Sequence, residues 1–318
     1  MAQKTLENII QSFKNIAWSN KNNIHSEAIQ KYGNQFEKVV WNHFLETQPE
    51  LESIEIKKSE NQPLLLSNLK NENLSKLLII SIADNVQTTI INDLVSSEAI
   101  HFFQHTVIQV AKGASLTFVQ IQNLHQDSIS CIENKIIVDD NACCFSFIVS
   151  QGSKMSWQHH TAKIGKESRS EIRWISRGQA EQQFDLRAEN AFMGTNSKGE
   201  IRCRSTGSEK SQTKFENMIF IGPEGNFTDS YMKHDTLLLS TTAKVNCIPR
   251  LEIHTNEVKA SHGAGISQVD EQSLFYLESR GIGKEEAKAI MIQGFLSEFS
   301  RENIFGENLQ PYLETVSK

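Results

Sequence analysis

Apolar residues recur at helical spacing near both ends of the chain and at strand spacing between them. Leu6, Ile9, Ile10, Phe13, Ile16 and Ala17 fall at steps of three and four, with Glu7, Lys14 and Asn15 on the other side. A second stretch carries Ile29, Tyr32, Phe36, Val39, Val40 and Phe44, opens at Ser26 as an N-cap and stops before Pro49. These patterns predict a helical N-terminal segment within residues 1–75. From about Leu77 the period drops to two, in short runs at 106–110, 115–122, 135–138, 145–149, 171–175, 183–186, 200–204, 214–221, 236–239 and 250–254. The runs break at turn-forming residues such as Lys112-Gly113-Ala114, Asp139-Asp140-Asn141-Ala142 and Gln151-Gly152-Ser153. Strand following strand over 76–270, with no helices between, fits a sandwich, a barrel or an irregular right-handed β-helix. An exact six-residue repeat is absent, which excludes the left-handed hexapeptide helix.

Helical period returns in a C-terminal segment, 271–318. Ala287, Ile290, Met291 and Phe295 make one stripe that Phe299 extends, Glu285 and Glu286 sit in the first turn, and Leu309, Leu313 and Val316 suggest a second short helix. Ile292 and Leu296 carry apolar surface onto another face, as in a two-sided core helix or a partner-docking surface.

Composition narrows the function classes. With 38% hydrophobic and 22% charged residues the chain is that of a somewhat polar soluble protein. Its 32 Lys and Arg are scattered among 38 Asp and Glu, for a net charge of −6, so nucleic-acid binding is not expected. No apolar stretch approaches the ~20 residues of a membrane span, and no signal-peptide pattern opens the chain, so a cytoplasmic location is expected. Cys131, Cys143, Cys144, Cys203 and Cys247 are odd in number and form no CxxC pair, which predicts reduced thiols.

Walker A, GxSxG, HExxH and strand-linked GxGxxG signatures are missing, so nucleotide hydrolase, serine hydrolase, zincin and Rossmann chemistries are disfavoured, and no enzymatic turnover is expected. Cys143 and Cys144 point to opposite faces of a strand, as do His159 and His160, one of which should be buried with a hydrogen-bond partner. Cys247 shares strand parity with Leu251 and Ile253, which predicts burial as a small hydrophobe. Asp139-Asp140 before Asn141 reads as a turn.

The C-terminal third is specific. Pro249-Arg250-Leu251-Glu252-Ile253, then Val258-Lys259-Ala260-Ser261-His262-Gly263-Ala264, then 270–282 with Asp270-Glu271, Leu274-Phe275-Tyr276-Leu277 and Ser279-Arg280-Gly281-Ile282, resembles the SufB/SufD family of iron–sulfur cluster assembly proteins. Looser similarity runs back through 214–219, Thr228-Asp229 and 113–117. The first 75 residues match little.

The resemblance implies a right-handed parallel β-helix core flanked by helical segments. It also implies a Suf complex in which SufB and SufD pair through their β-helices and each holds a SufC ABC-type ATPase on C-terminal helices. On that basis Ile292, Leu296 and Phe299 are the expected SufC dock, and Arg280 and Gly263 belong to the family motif. Where SufB-like chains place a cysteine before the Asp-Ser-x-Leu run this chain has His234, and where they place a glutamate after the later histidine it has Gly263. Both departures point to a SufD-like scaffold subunit. His262 matches the histidine that SufD-like chains present to SufB, and an imidazole is a borderline iron ligand that can complete a site shared with a partner. His234 is either a second iron ligand or a neutral surface residue. A transient iron or iron–sulfur cluster shared with SufB is the expected cargo, and no motif decides whether FAD takes part. The rival readings are a SufB-like scaffold holding a cluster on Cys247, Cys203 or Cys131, with a homodimer as its assembly, and a β-helical polysaccharide-active enzyme.

Overall fold

The computed structural model describes residues 44–66, 69, 72–297 and 299. The helices predicted over 6–17 and 309–316, and all but the last residue of the one over 29–44, lie outside the described residues. Sixteen strands follow one another within the described chain: β1 (Glu50–Ile56), β2 (Leu64–Leu65), β3 (Leu74–Ile82), β4 (Gln87–Val95), β5 (His101–Val110), β6 (Ser115–Leu124), β7 (Ile129–Val138), β8 (Cys143–Gly152), β9 (Met155–Ile164), β10 (Arg169–Gly178), β11 (Gln183–Phe192), β12 (Lys198–Gly207), β13 (Gln212–Ile221), β14 (Asp229–Leu238), β15 (Lys244–Ile253) and β16 (Lys259–Gln268). Helices α1 (Glu271–Ser279) and α2 (Lys284–Leu296) come next.

Odd-numbered strands form one eight-stranded sheet and even-numbered strands the other, each in sequential order and parallel throughout. The chain therefore coils as a parallel β-helix of about eight turns. A coil takes 26 residues where Ile129 lies beside Met155 and 32 where Gln212 lies beside Lys244. The strands start earlier than residue 76: β1 and β2 occupy part of the segment read as helical. β1 pairs on one side only, and its Glu50, Glu52 and Glu55 obscure the apolar alternation.

Tight corners need one residue in the left-handed region, and each of the stacked corners after β3, β5, β7, β9, β11 and β13 has one. Asn85, Gly113, Asn141, Glu167, Asn196 and Phe227 all have φ between 54° and 70°. Each donates its backbone N–H to the next corner: Asn85 to Lys112 O at 3.0 Å, Asn141 to Lys166 O at 2.9 Å, Glu167 to Thr195 O at 2.9 Å. The corners are thus hydrogen-bonded into a ladder of their own, which satisfies backbone groups that a lone turn would leave to water.

The interior is part apolar and part polar. Ile80, Ile108, Ile136, Phe118 and Leu116 fill the first half, and Ile164, Ile172, Trp174, Phe215 and Ile219 the second. Beside them runs a file of buried polar side chains. Gln120 Nε2 donates to Gln158 Oε1 at 3.4 Å, Gln158 Nε2 to Gln122 Oε1 at 3.1 Å, and Trp174 Nε1 to Ser150 Oγ at 2.9 Å. β9 turns Ser156, Gln158 and His160 inward, and for that reason it lacks the alternation by which its neighbours were predicted.

Both outer faces are partly covered by segments that flank the coils, Phe44 on one and 292–299 on the other. Phe44 packs on Phe103 and His105 of the odd sheet. Beneath it a buried charge ladder crosses the strands: His105 lies 3.1 Å from Glu133, which lies 3.8 Å from His159. Burial alone would raise the Glu133 carboxyl, but the His105 hydrogen bond and the charges of His105, His159 and Lys135 hold it below its ordinary range. α2 covers the even sheet, with Ile292, Phe295, Leu296 and Phe299 against Ile91, Val119, Ile121, Phe147, Val149 and Ile175.

Candidate functional site

The distinctive site is the last coil. β15 and β16 end their sheets and pair with β13 and β14 alone among the described residues. Inward-facing side chains on any earlier coil are covered by the next; on this one they are not. Leu251 and Ile253, register partners of the fully buried Ile219 and Ile221, are 37% and 38% exposed, and Ile266 is 55% exposed. Cys247, predicted to be buried with them, is half-buried, its Sγ 3.3 Å from Thr236 Oγ1. The parity argument placed these residues on the correct face; among the described residues no further coil stacks on this one, which is why that face reaches solvent.

His262 is in the middle of β16, beside the buried Met232. Its side chain therefore belongs to the inward row of the last coil, and it is exposed. Gly263 lies next to it on the outward row, where a Cβ would stand 3.5 Å from the Tyr231 hydroxyl.

His234 is elsewhere. One coil back from Ala264, it is buried inside the β-helix, so the expectation of a surface residue is corrected. Its Nε2 is 2.8 Å from Ser205 Oγ and its Nδ1 3.2 Å from Asn217 Nδ2, with the ring edge-on to Phe215 at 4.7 Å. Burial lowers its pKa to about 4. Both nitrogens are engaged, and the structure does not bring His234 and His262 together.

The thiols that a cluster-holding chain would need are placed for packing. Cys131 and Cys203 are fully buried, and burial pushes the Cys203 thiol well above its ordinary value, with the neighbouring Cys247 adding to the shift. Cys144 is raised to about 12 by burial. Of the three cysteines named for the SufB-like reading, Cys247 alone is at the open end. No group of three or more His, Cys, Asp or Glu side chains among the described residues is arranged to hold a metal ion.

The helical motif residues have structural roles. Asp270 caps α1 by accepting from the N–H groups of Gln272 and Ser273 at 3.2 and 3.0 Å. Arg280 is the C-cap, its guanidinium 5.2 Å over the Tyr276 ring, and Gly281 follows with φ 86°. Leu296 and Phe299, expected as a SufC dock, are instead buried against the even sheet, with Ile292 half-buried beside them. Arg204, which the sequence reading missed, clamps this end of α2: it donates to the Phe295 carbonyl and lies 4.8 and 5.5 Å from the Phe295 and Phe299 rings. Leu296→Asp is expected to detach α2 while the coils stay folded, because an unpaired carboxylate cannot remain in that seam. The check is trypsin digestion at Arg280, at least about tenfold faster in the variant.

Fold and site together define a parallel β-helix with an uncapped last coil and its C-terminal helices bound to one flank. The family model for the SUF system FeS cluster assembly SufBD core domain matches residues 65–295. The chain belongs to the SufBD family of iron–sulfur cluster assembly proteins. It is similar to the Escherichia coli iron–sulfur cluster assembly protein SufD, 27% identical over 228 residues that cover 70% of this chain and 53% of that protein. Bacillus subtilis SufB is 26% identical over 196 residues, 61% of this chain and 42% of that one. The Antithamnion SufBD family protein ycf24 is 29% identical over 168 residues, 52% and 57%. The chain spans about half the length of the curated relatives it matches.

Proposed function

We propose that this chain is a SufD-like scaffold subunit of a Suf complex, which pairs with a SufB-like chain at its last coil, anchors a SufC-class ATPase on its C-terminal helices and lends His262 to an iron site at the joint. The observation that carries this reading is the uncapped last coil with an exposed imidazole in its inward row. Apolar Leu251, Ile253 and Ile266 need a cover, and a second β-helix end has the matching shape and chemistry. The iron or cluster is cargo, held jointly and passed on, and the cytoplasm is the compartment where such reduced thiols persist. The SufB-like alternative would have to work through Cys247, since burial excludes Cys131 and Cys203 from direct access.

The ATPase dock moves from Ile292, Leu296 and Phe299, which pack on the even sheet, to the exposed apolar residues of the helical pair. There Phe275, Tyr276 and Ile290 are 70%, 57% and 43% exposed. Co-purification with a SufC-class ATPase tests this: the double variant Phe275→Asp, Ile290→Asp should lose the ATPase while keeping its β-helix intact. Undiminished capture by that variant would refute the dock.

A further inference from the structure

A chain of buried amides runs through the middle coils, and one backbone group fixes its direction. Gln122 Nε2 donates to the Gln151 carbonyl at 3.3 Å, an oxygen that can only accept. Gln122 Oε1 is then the acceptor end of its amide, and it takes the Gln158 Nε2 hydrogen at 3.1 Å. Gln158 Oε1 in turn accepts from Gln120 Nε2 at 3.4 Å and from the Ser150 hydroxyl at 3.0 Å. Gln120 Oε1 accepts from both Asn92 Nδ2 at 3.2 Å and Asn134 Nδ2 at 3.0 Å. Every amide turns its N–H toward the one before it, so carbonyl oxygens are left over at the far end. Asn134 Oδ1 is such an oxygen, buried and without a hydrogen-bond partner among the described residues, and Asn92 Oδ1 ends the other branch likewise. Flipping the Asn134 amide does not help, since it would set Oδ1 against Gln120 Oε1.

Beside Asn134 in register lies His160 of β9. Both side chains face the interior, Asn134 2% and His160 0% exposed. His160 Nε2 is 2.9 Å from Ser146 Oγ, and its Nδ1 is a second buried atom without a partner among the described residues. The ring is stacked on Phe118 at 5.9 Å and lies edge-on to Trp174 at 6.5 Å, which keeps it from turning. Burial lowers its pKa to about 3, so the ring is neutral, and Nδ1 either offers one hydrogen or needs one. Neighbouring strands lie about 4.8 Å apart, a spacing that one small molecule can bridge between register partners.

We propose that one ordered water molecule is an integral part of this core, donating to Asn134 Oδ1 and hydrogen-bonded to His160 Nδ1. Water is the ligand whose chemistry fits: it gives one hydrogen to the amide oxygen, and it can then either give the second to a bare Nδ1 or accept from an Nδ1–H. An anion would meet the amide oxygen without a hydrogen to share. The water joins two networks that are otherwise separate, the amide relay that starts at the Gln151 carbonyl and the His160–Ser146 pair, into one hydrogen-bonded path across the interior. The inference concerns the middle coils and does not depend on the proposed joint.

A crystal structure of the full chain at about 1.5 Å resolution or better tests this without altering the protein. One water is expected at about 2.7–3.2 Å from both Asn134 Oδ1 and His160 Nδ1. A water touching only one of the two atoms, a direct bond between them, or no density there would overturn the proposal. Deuteron relaxation dispersion, which counts long-lived internal waters in solution, gives the second readout. Asn134→Leu and His160→Phe, each measured as folded protein, should each lower the wild-type count by one, and an undiminished count in both variants would equally overturn it.

Discussion

Gly152→Val should abolish the folded protein. Gly152 ends β8 with φ 73°, a conformation that costs a residue bearing a Cβ about 1–2 kcal/mol by itself. A Cβ there would also overlap the Leu124 carbonyl and amide. Leu124 is Gly152's register partner on β6, so the backbone it would displace belongs to the middle of the ladder, where every coil fixes the next. The combined cost should exceed about 4 kcal/mol, against a total stability of about 5–15 kcal/mol for a typical domain. Gly294 of α2 is the contrast, since an added methyl there meets nothing within 4 Å. Gly294→Ala is expected to stabilise by about 0.5–1 kcal/mol through helix propensity. Urea unfolding of both variants checks the pair, and a soluble Gly152→Val with native stability would contradict the stacking account.

Acid should unfold the protein well before its carboxylates titrate. His160 and His234 are buried within the coils, and burial lowers them to about 3 and about 4, with the nearby His159 adding to the shift at His160. Between the unfolded imidazole value of about 6.5 and those folded values, the unfolded chain binds protons that the folded chain does not, so stability falls as pH falls. His105, also lowered mainly by burial, acts in the same direction. Two such groups lose up to about 1.4 kcal/mol each per pH unit, on the order of 3 kcal/mol together from pH 6.5 to 5. Urea midpoints across that range should drop, and His234→Leu should flatten the slope even though it weakens the protein at every pH. A slope unchanged by that substitution would mean the imidazole is not held neutral inside.

The period-two runs made the strand-rich middle legible, and the motif between Pro249 and Ile282 made the family legible. Strands with polar interiors were not: β9 hides Ser156, Gln158 and His160, so its alternation is inverted where a hydrophobic pattern is sought. Parity put Cys247, Leu251 and Ile253 on the inward face, but the pattern of one strand holds no sign of whether another coil stacks on it. His234 illustrates the same limit from the other side. Its position before Asp235 suggested chemistry at a surface, and only the register beside Cys203 and Ala264 reveals a side chain locked between Ser205 and Asn217. The α2 stripe reads equally as a two-sided core helix or a partner-docking surface; its Ile292 and Leu296 side lies on the even sheet while Ile290 is exposed, and Arg204, 91 residues from its bonding partner Phe295, holds it there.

On the proposed function the last coil is the working end of the molecule and His262 its chemical contribution. Iron and sulfide retained by the complex co-purified with SufB-like and SufC-class subunits measures this most directly, with His262→Ala set against His234→Ala and wild type. His262→Ala is expected to assemble but keep less than about a tenth of the wild-type cluster, since losing even a ligand's outer-shell partner typically costs about 10–100-fold in metal affinity, while His234→Ala keeps wild-type levels in whatever fraction folds. Wild-type retention by His262→Ala would contradict it.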